Sequence, residues 1–418
     1  MSQTIIKNGL IATPDRLLRD HSILIEDGII KAIGRIKDVK AKAIDARGKI
    51  VMPGFINTHT HFYSTFARGL TKATPAKNFP EILRNLWWRL DRTLTLEDCY
   101  YSTLVAGIEA IRHGTTTIFD HHSSPNAVKG SLDTIASAIK DLGLRACLCY
   151  EVSDRDREKI AQEGIEENLR FLKECRTSDR LKALFGLHAS FTLSDKTLRR
   201  CVENAQGFHI HCAEDLVDQK ITRSKFGKSV VRRLYDFGIL GPKTICAHAV
   251  HLDDKEWDLL AQTQTAVVHN PQSNMNNAVG VMDLSRALRK GVLVGLGTDA
   301  MTNNMREELR FATLLQHQPC TDLLLRNNQT IANRHFDKIG RIKEGWAADL
   351  ILLDYLPPTP MTAANFPAHL LFGLSQSPVD TTIVSGRILM QNKKLLLLDE
   401  QYIAKKSREL ATALWKIF

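Results

Sequence analysis

Four residues of this chain have the types to share one cation: His59, His61, His211 and Asp299. Glu214 follows the third histidine by three positions, and the group reads as a metal site with a proton-transferring carboxylate beside it. The first pair lies in Pro53-Gly54-Phe55-Ile56-Asn57-Thr58-His59-Thr60-His61. A strand alternates its side chains with period two, so the two imidazoles face one side, about 7 Å apart along the strand. Neutral imidazole suits zinc, iron, nickel or copper. A lone His-x-His pair is equally compatible with packed or solvated rings, so the rest of the chain decides. His209 shares the strand face of His211 and rivals it as third ligand. The deeper place of His209 in its strand, and the spacing to Glu214, favour His211.

Such residues need a frame. Short apolar strands are predicted at 55–61, 115–120, 145–150, 182–188, 207–212, 244–248, 266–269 and 292–299. Amphipathic helices separate them: Thr95-Leu96-Glu97-Asp98 opens one with a capping box, and 163–173 has apolar residues at helical spacing. Eight strand–helix units of this size predict an α/β fold, a (β/α)8 TIM barrel, whose functional residues lie at the C-terminal strand ends. Those ends carry His59 and His61, Asp120-His121-His122, Glu151, His188, His211, His248, His269-Asn270 and Asp299. Each follows an apolar run. Both chain ends read as strands: 22–26, a turn at Asp27-Gly28, 29–33 and 49–52, then 348–354, 381–384, a turn at Ser385-Gly386, and 387–390. They predict a small β-sandwich domain formed from 1–54 and 338–396, around a barrel over 55–337, with a C-terminal helix over 397–418.

At 418 residues the chain exceeds one ordinary core. Its 44% hydrophobic and 24% charged content fits a soluble globular protein. The net charge of +10 comes from scattered Lys and Arg, with no basic block interleaved with aromatics, so no nucleic-acid partner is expected. No apolar run reaches the roughly 20 residues that cross a bilayer, and no leader pattern opens the chain, so no membrane partner is expected. The eight cysteines form no Cys-x-x-Cys pair and read as reduced thiols of a cytoplasmic protein.

The motifs resemble the amidohydrolase superfamily across essentially the whole length. Pro53 to His61 matches its strand-one ligand motif. Phe208-His209-Ile210-His211-Cys212-Ala213-Glu214 matches strand five, Ala247-His248-Ala249-Val250-His251 strand six, and Gly297-Thr298-Asp299 strand eight. Gly340-Arg341-Ile342-Lys343-Glu344-Gly345 resembles the return into the β domain. Leu187-His188-Ala189-Ser190-Phe191 and Val268-His269-Asn270-Pro271-Gln272-Ser273-Asn274 resemble the cyclic-amidine deaminase and chlorohydrolase branch. Leu86-Trp87-Trp88-Arg89-Leu90-Asp91-Arg92 and Asp120-His121-His122-Ser123-Ser124-Pro125-Asn126 are most similar to SsnA-type aminohydrolases.

The resemblance implies a metal-dependent aminohydrolase that deaminates a heterocyclic amidine. Two-metal relatives bridge their ions with a lysine at the end of strand four; here that strand ends on Leu187-His188, so one divalent ion is expected, zinc ahead of iron. His59, His61, His211 and Asp299 would hold it. The cation would lower the pKa of its water towards about 7. Asp299 would take the first proton, His248 would orient the hydroxide, and Glu214 would shuttle a proton to the ring nitrogen. His188, His121, His122, Trp88 and Asn303 are expected substrate contacts. The long excursion after strand one holds Phe62, Tyr63, Phe66, Trp87 and Trp88, on which a flat small-molecule heterocycle could stack. Chlorohydrolysis and cyclic amide hydrolysis are the alternatives on this site, and a non-catalytic scaffold is the alternative class. A homo-oligomer is expected. Two connections look short for the fold, at Ala205-Gln206-Gly207 and Gln318-Pro319-Cys320.

Overall fold

The computed structural model describes every residue except 1–2, 14–15, 38, 204 and 317–319, so Gln318 and Pro319 of the second short connection lie outside the described residues. The fold is α/β. Ser22–Glu26 and Ile29–Gly34 pair antiparallel across Asp27-Gly28. Both turn residues have positive φ, 50° and 84°, as a tight two-residue hairpin turn requires. With Gln3–Lys7 and Lys42–Asp45 they form a four-stranded sheet.

A seven-stranded sheet draws on both chain ends. Its strands Leu10–Ala12, Leu17–Leu18 and Lys49–Pro53 come from the front. Leu350–Asp354, Val379–Val384, Arg387–Gln391 and Lys394–Leu395 come from the back. Lys49–Pro53 runs antiparallel to Leu350–Asp354, register Val51 to Leu352. Apolar side chains of the two sheets, Ile6, Ile23, Val51, Leu350 and Ile383 among them, pack in one cluster.

Between these ends lie the strands that position the site. We number them β1 (Phe55–Thr60), β2 (Thr115–His122), β3 (Arg145–Tyr150), β4 (Phe185–Ala189, preceded by Leu181–Ala183), β5 (Phe208–Cys212), β6 (Ile245–His248), β7 (Ala266–His269) and β8 (Val294–Leu296). β1, β2, β3 and the short Leu181–Ala183 form one parallel sheet; β4 to β8 form another. Isolated parallel bridges link Val152 to Leu187 and Thr60 to Asp299, at the two junctions between the sheets. Every residue of β1 and β2 is buried, as expected for parallel strands covered on both faces.

The helices follow the local signals. Leu96–Arg112 opens with the reciprocal Thr95–Asp98 capping box, and Glu158–Glu174 extends beyond the predicted 163–173. Two of the strand bounds that differ from the sequence reading bear on the site. β2 carries on through His121 and His122. β8 stops at Leu296, because beyond it the amides of Thr298 and Asp299 both turn onto the carbonyl of His59. The last helix, Glu400–Ile417, lies on the excursion after β1: Trp415 Nε1 donates to the Phe66 carbonyl at 2.8 Å, and Arg89 Nη2 to that of Phe418 at 2.6 Å. Among the described residues, no helix is long and apolar enough to cross a membrane.

Candidate active site

Four imidazoles and a carboxylate converge where β1, β5, β6 and β8 end. The rings of His59 and His61 share one strand face, as period two requires, and lean together to a centroid separation of 5.0 Å. His61 Nε2 is 3.0 Å from Asp299 Oδ1 and 3.2 Å from His211 Nε2. His59 Nε2 is 3.4 Å from the same carboxylate oxygen, and His248 Nε2 is 3.9 Å from Asp299 Oδ2. Donor atoms of His59, His211, His248 and Asp299 all lie within 4.8 Å of one another, close enough for one ion.

The opposite ring nitrogens explain why Nε2 is the atom presented. His61 Nδ1 faces the His121 carbonyl at 2.5 Å, and His211 Nδ1 faces that of His188 at 3.1 Å. A carbonyl only accepts, so each Nδ1 carries a proton and each Nε2 is the nitrogen turned to the cluster. His248 Nδ1 faces Asn274 Oδ1 at 2.9 Å, and His59 Nδ1 faces His209 Nε2 at 2.9 Å. Partners on the far nitrogen fix ring orientation in metal sites. His209, the rival ligand, is thereby engaged behind His59. The Nε2 atoms of His59 and His248 are buried with no hydrogen-bond partner. This donor set fits a divalent cation.

The backbone is bent to make this convergence. Ala213, His248, Ala249 and Asp299 all have positive φ, 47°, 72°, 51° and 51°. Non-glycine residues held there cost about 1–3 kcal/mol each and persist where surrounding structure imposes them. Gly297 lets β8 approach β1: a Cβ on it would meet the His59 carbonyl oxygen at 2.8 Å and Asn270 Oδ1 at 2.7 Å. Electrostatics agree with the geometry. Burial opposes it, yet the Asp299 carboxylate raises His61 to about 9, while burial drives His59 down to about 3. The Asp299 oxygens thus favour one positive charge beside them, either a proton on His61 Nε2 or a cation that displaces it.

Beside the donors opens a cleft of about 750 Å³, counting its mouth. His61, His211, Glu214 and Asp299 lie on it with His188, and Tyr63, Phe79, Trp87, Trp88 and Phe191 give it aromatic walls. Glu214 Oε2 stands 3.5 Å from His248 Nε2, and Oε1 accepts from Asn277 Nδ2 at 3.3 Å. Burial, then the charge of Asp299, raises the Glu214 carboxyl well above its ordinary range. Ser273 Oγ donates to Asp299 Oδ2.

Three expected substrate contacts do not reach the cleft. Adjacent residues of a strand point oppositely, so His121 and His122 part company. His121 turns inward, its Nε2 on the carbonyls of Leu187 and His209 at 3.1 and 3.0 Å. His122 turns outward to Ser124 Oγ at 2.9 Å. Asn303 is 5% exposed and offers its carbonyl to Thr115 Oγ1 at 3.0 Å. Conversely, the cleft includes Asp91, Glu151, Arg155, Ser273 and Asn277, to which the sequence reading gave no role. Glu151 closes a strand, which was the available signal; the others are brought in by loops and helices.

Comparison with known proteins agrees with this arrangement. The model of the amidohydrolase family matches residues 50–389. A 5'-deoxyadenosine deaminase of Methanosarcina mazei is 34% identical, covering 99% of each chain. A 5-methylthioadenosine/S-adenosylhomocysteine deaminase of Thermococcus sibiricus is 35% identical, covering 92% of this chain and 93% of its own. An adenosine deaminase from Xanthomonas campestris, solved with bound zinc, superposes with a TM-score of 0.87 at 22% identity, covering 99% of this chain and 98% of its own. The chain belongs to the amidohydrolase family.

Proposed function

We propose that the protein hydrolytically deaminates an aminated nitrogen heterocycle, exchanging a ring C–NH2 for C=O with one water consumed and one ammonia released. The observation that carries this is the convergence of the His59, His61 and His248 Nε2 atoms on Asp299, with His211 Nε2 against His61 and Glu214 at the edge. His59, His61, His211 and Asp299 would hold one divalent ion, zinc ahead of iron, which supplies Lewis acidity when bound. The Asp299 carboxylate, steadied by Ser273, receives the proton of the attacking water. Glu214, oriented by Asn277, gives a proton to the ring nitrogen and so makes the neighbouring carbon electrophilic. His248 sits between the two carboxylates and positions the water. Thr192 Oγ1 donates to the Ala189 carbonyl and accepts from His188 Nδ1 at 2.7 Å, which leaves His188 Nε2 for the substrate. Trp88 and Phe191 flank a flat ring beside it.

The names of the relatives support a purine ring, with adenosine derivatives the first to test. The same reading takes the two parallel sheets as one eight-stranded barrel, for which the two isolated bridges are the support. It takes the two outer sheets as a sandwich built from 1–54 and 338–396, with 397–418 as a terminal helix. The eight free, buried cysteines support the cytoplasm as its compartment, and exposed Leu356 and Phe372 support a homo-oligomer. The test is a screen of aminated heterocycles, 5'-deoxyadenosine included, with zinc-loaded protein. Ammonia from at least one ring supports the proposal. Chloride from halogenated rings, with no ammonia from any aminated one, would replace it with chlorohydrolysis.

A further inference from the structure

The far wall of the cleft is charged. From the metal donors outward, the His188 ring lies 5.7 Å from that of His211, and the Trp88 ring 6.2 Å from that of His188. The Arg155 guanidinium lies 5.4 Å from the Trp88 ring. Only 6% of the Arg155 side chain is exposed. Its Nη2 donates to Asp91 Oδ2, donates to Ser123 Oγ at 2.8 Å, and stands 3.5 Å from Glu151 Oε1. Its Nε is 3.2 Å from Asp156 Oδ2. Asp91 comes from the helix Trp88–Thr93 of the excursion, while Glu151 and Arg155 follow β3.

Four polar atoms of this wall are buried without a hydrogen-bond partner: Trp88 Nε1, Arg155 Nε, Arg155 Nη1 and Asp91 Oδ1, of which Arg155 Nε has the Asp156 carboxylate beside it. Buried donors and acceptors are nearly always paired, so Arg155 Nη1 and Asp91 Oδ1, on two paired residues of a cleft wall, call for an account. One needs an acceptor and the other a donor. They belong to a single ion pair, joined through its other two atoms, Nη2 and Oδ2. Burial raises Asp91 to about 6, which still leaves it ionised and accepting at neutral pH.

We propose that Arg155 and Asp91 form the distal recognition site of the cleft and read a lactam edge of the substrate ring, Nη1 donating to its carbonyl and Oδ1 accepting from its N–H. This rests on the deaminase reading and narrows it to rings that carry an amidine at the metal end and a lactam at the other, as amino-oxo purines and pyrimidines do. An anionic substituent fits poorly, because Asp91, Glu151 and Asp156 surround the one guanidinium. A planar ring fits well, because the hydrogens on Nη1 lie in the guanidinium plane.

The test compares kcat/KM of the zinc-loaded enzyme on amino-oxo rings and on rings with an amino group and no lactam, 5'-deoxyadenosine among them. Arg155→Lys keeps a cation among the three carboxylates, so the fold is retained, but removes the Nη1 edge. The wild type should favour amino-oxo rings by about tenfold or more. Arg155→Lys should raise KM for those rings by roughly 100-fold and leave the others within about threefold, as loss of a buried polar partner does. Equal losses on both classes, or a wild-type preference for rings whose polar group is a sugar hydroxyl, would overturn the proposal. If the wild type releases ammonia from no ring, the deaminase reading has failed separately. Calorimetric binding of xanthine, a lactam-bearing ring, then decides: weaker binding by Arg155→Lys supports the site, and equal binding overturns it.

Discussion

Glu214 and Asp299 are two buried carboxyls with opposite settings. Burial and the neighbouring charge push Glu214 up. Against burial, the close approach of the His59 and His61 rings holds Asp299 well below the carboxylate range. Such a pair separates a proton donor from a proton acceptor. Glu214→Gln should therefore keep fold and metal and lower turnover by about 100-fold or more. Elemental analysis beside kinetics checks this; loss of metal with activity would make Glu214 a ligand instead. How far the residues were legible depends on distance along the chain. The His-x-His pair and the His211–Glu214 spacing are local: period two was enough to see the first, and the motif resemblance carried the second. Asn274 behind His248, Ser273 behind Asp299 and Arg155 across the cleft act through space; the first two stand in a segment the resemblance singled out without giving them a role, and nothing in the segment of Arg155 announces it. His121 and His122 show the reverse: two conspicuous histidines whose strand sends one inward to backbone carbonyls and one outward.

Elements fix these residues by close approach. Gly297→Ala would press a methyl group on the His59 carbonyl and on Asn270. It should cost about 1–3 kcal/mol, as overpacking does, and should weaken metal retention together with stability. A melting curve and a metal titration on the same preparation check both. The helix Pro271–Asn276, which carries Ser273 and Asn274, is tied to Met305–Gln316 by Glu308. Its oxygens accept from the Gln272 amide at 3.0 Å and from Gln272 Nε2 at 2.7 Å. Burial raises Glu308 from 4.5 to about 8. Below pH 4.5 folded and unfolded forms both hold the proton. Between 4.5 and about 8 the unfolded form loses it first, so this group's contribution to stability is lost as pH rises through that window. Glu308→Gln should match the wild type near pH 5 and gain melting temperature over it progressively to about pH 8. A constant difference across that range would remove Glu308 as the cause. Strand positions were legible because buried parallel strands are short apolar runs. The early end of β8 was not, since it is set by the His59 carbonyl from across the chain.

The whole molecule is joined by a buried ion pair. Arg145 of β3 donates through Nη1 to Asp349 and through Nη2 to Ser385 Oγ at 2.8 Å; the two charged side chains are 3% and 2% exposed. Asp349 also accepts from the Ser385 amide at 2.7 Å, just past the end of Val379–Val384. Arg145→Met strands the Asp349 charge and should cost about 3–5 kcal/mol in denaturant unfolding. A double change to apolar residues should cost less than either single one. The long-range pairing of front and back strands was readable from their shared vocabulary, whereas this pair, 204 residues apart, was not. Attack by water on the ring carbon predicts a direct hydrolytic exchange with no covalent enzyme intermediate. Turnover of an aminated heterocycle in oxygen-labelled water by zinc-loaded protein tests that most directly. One labelled oxygen on the ring carbon for each ammonia released is the expected result. Unlabelled product, or a covalent adduct trapped on the normal pathway, would contradict it.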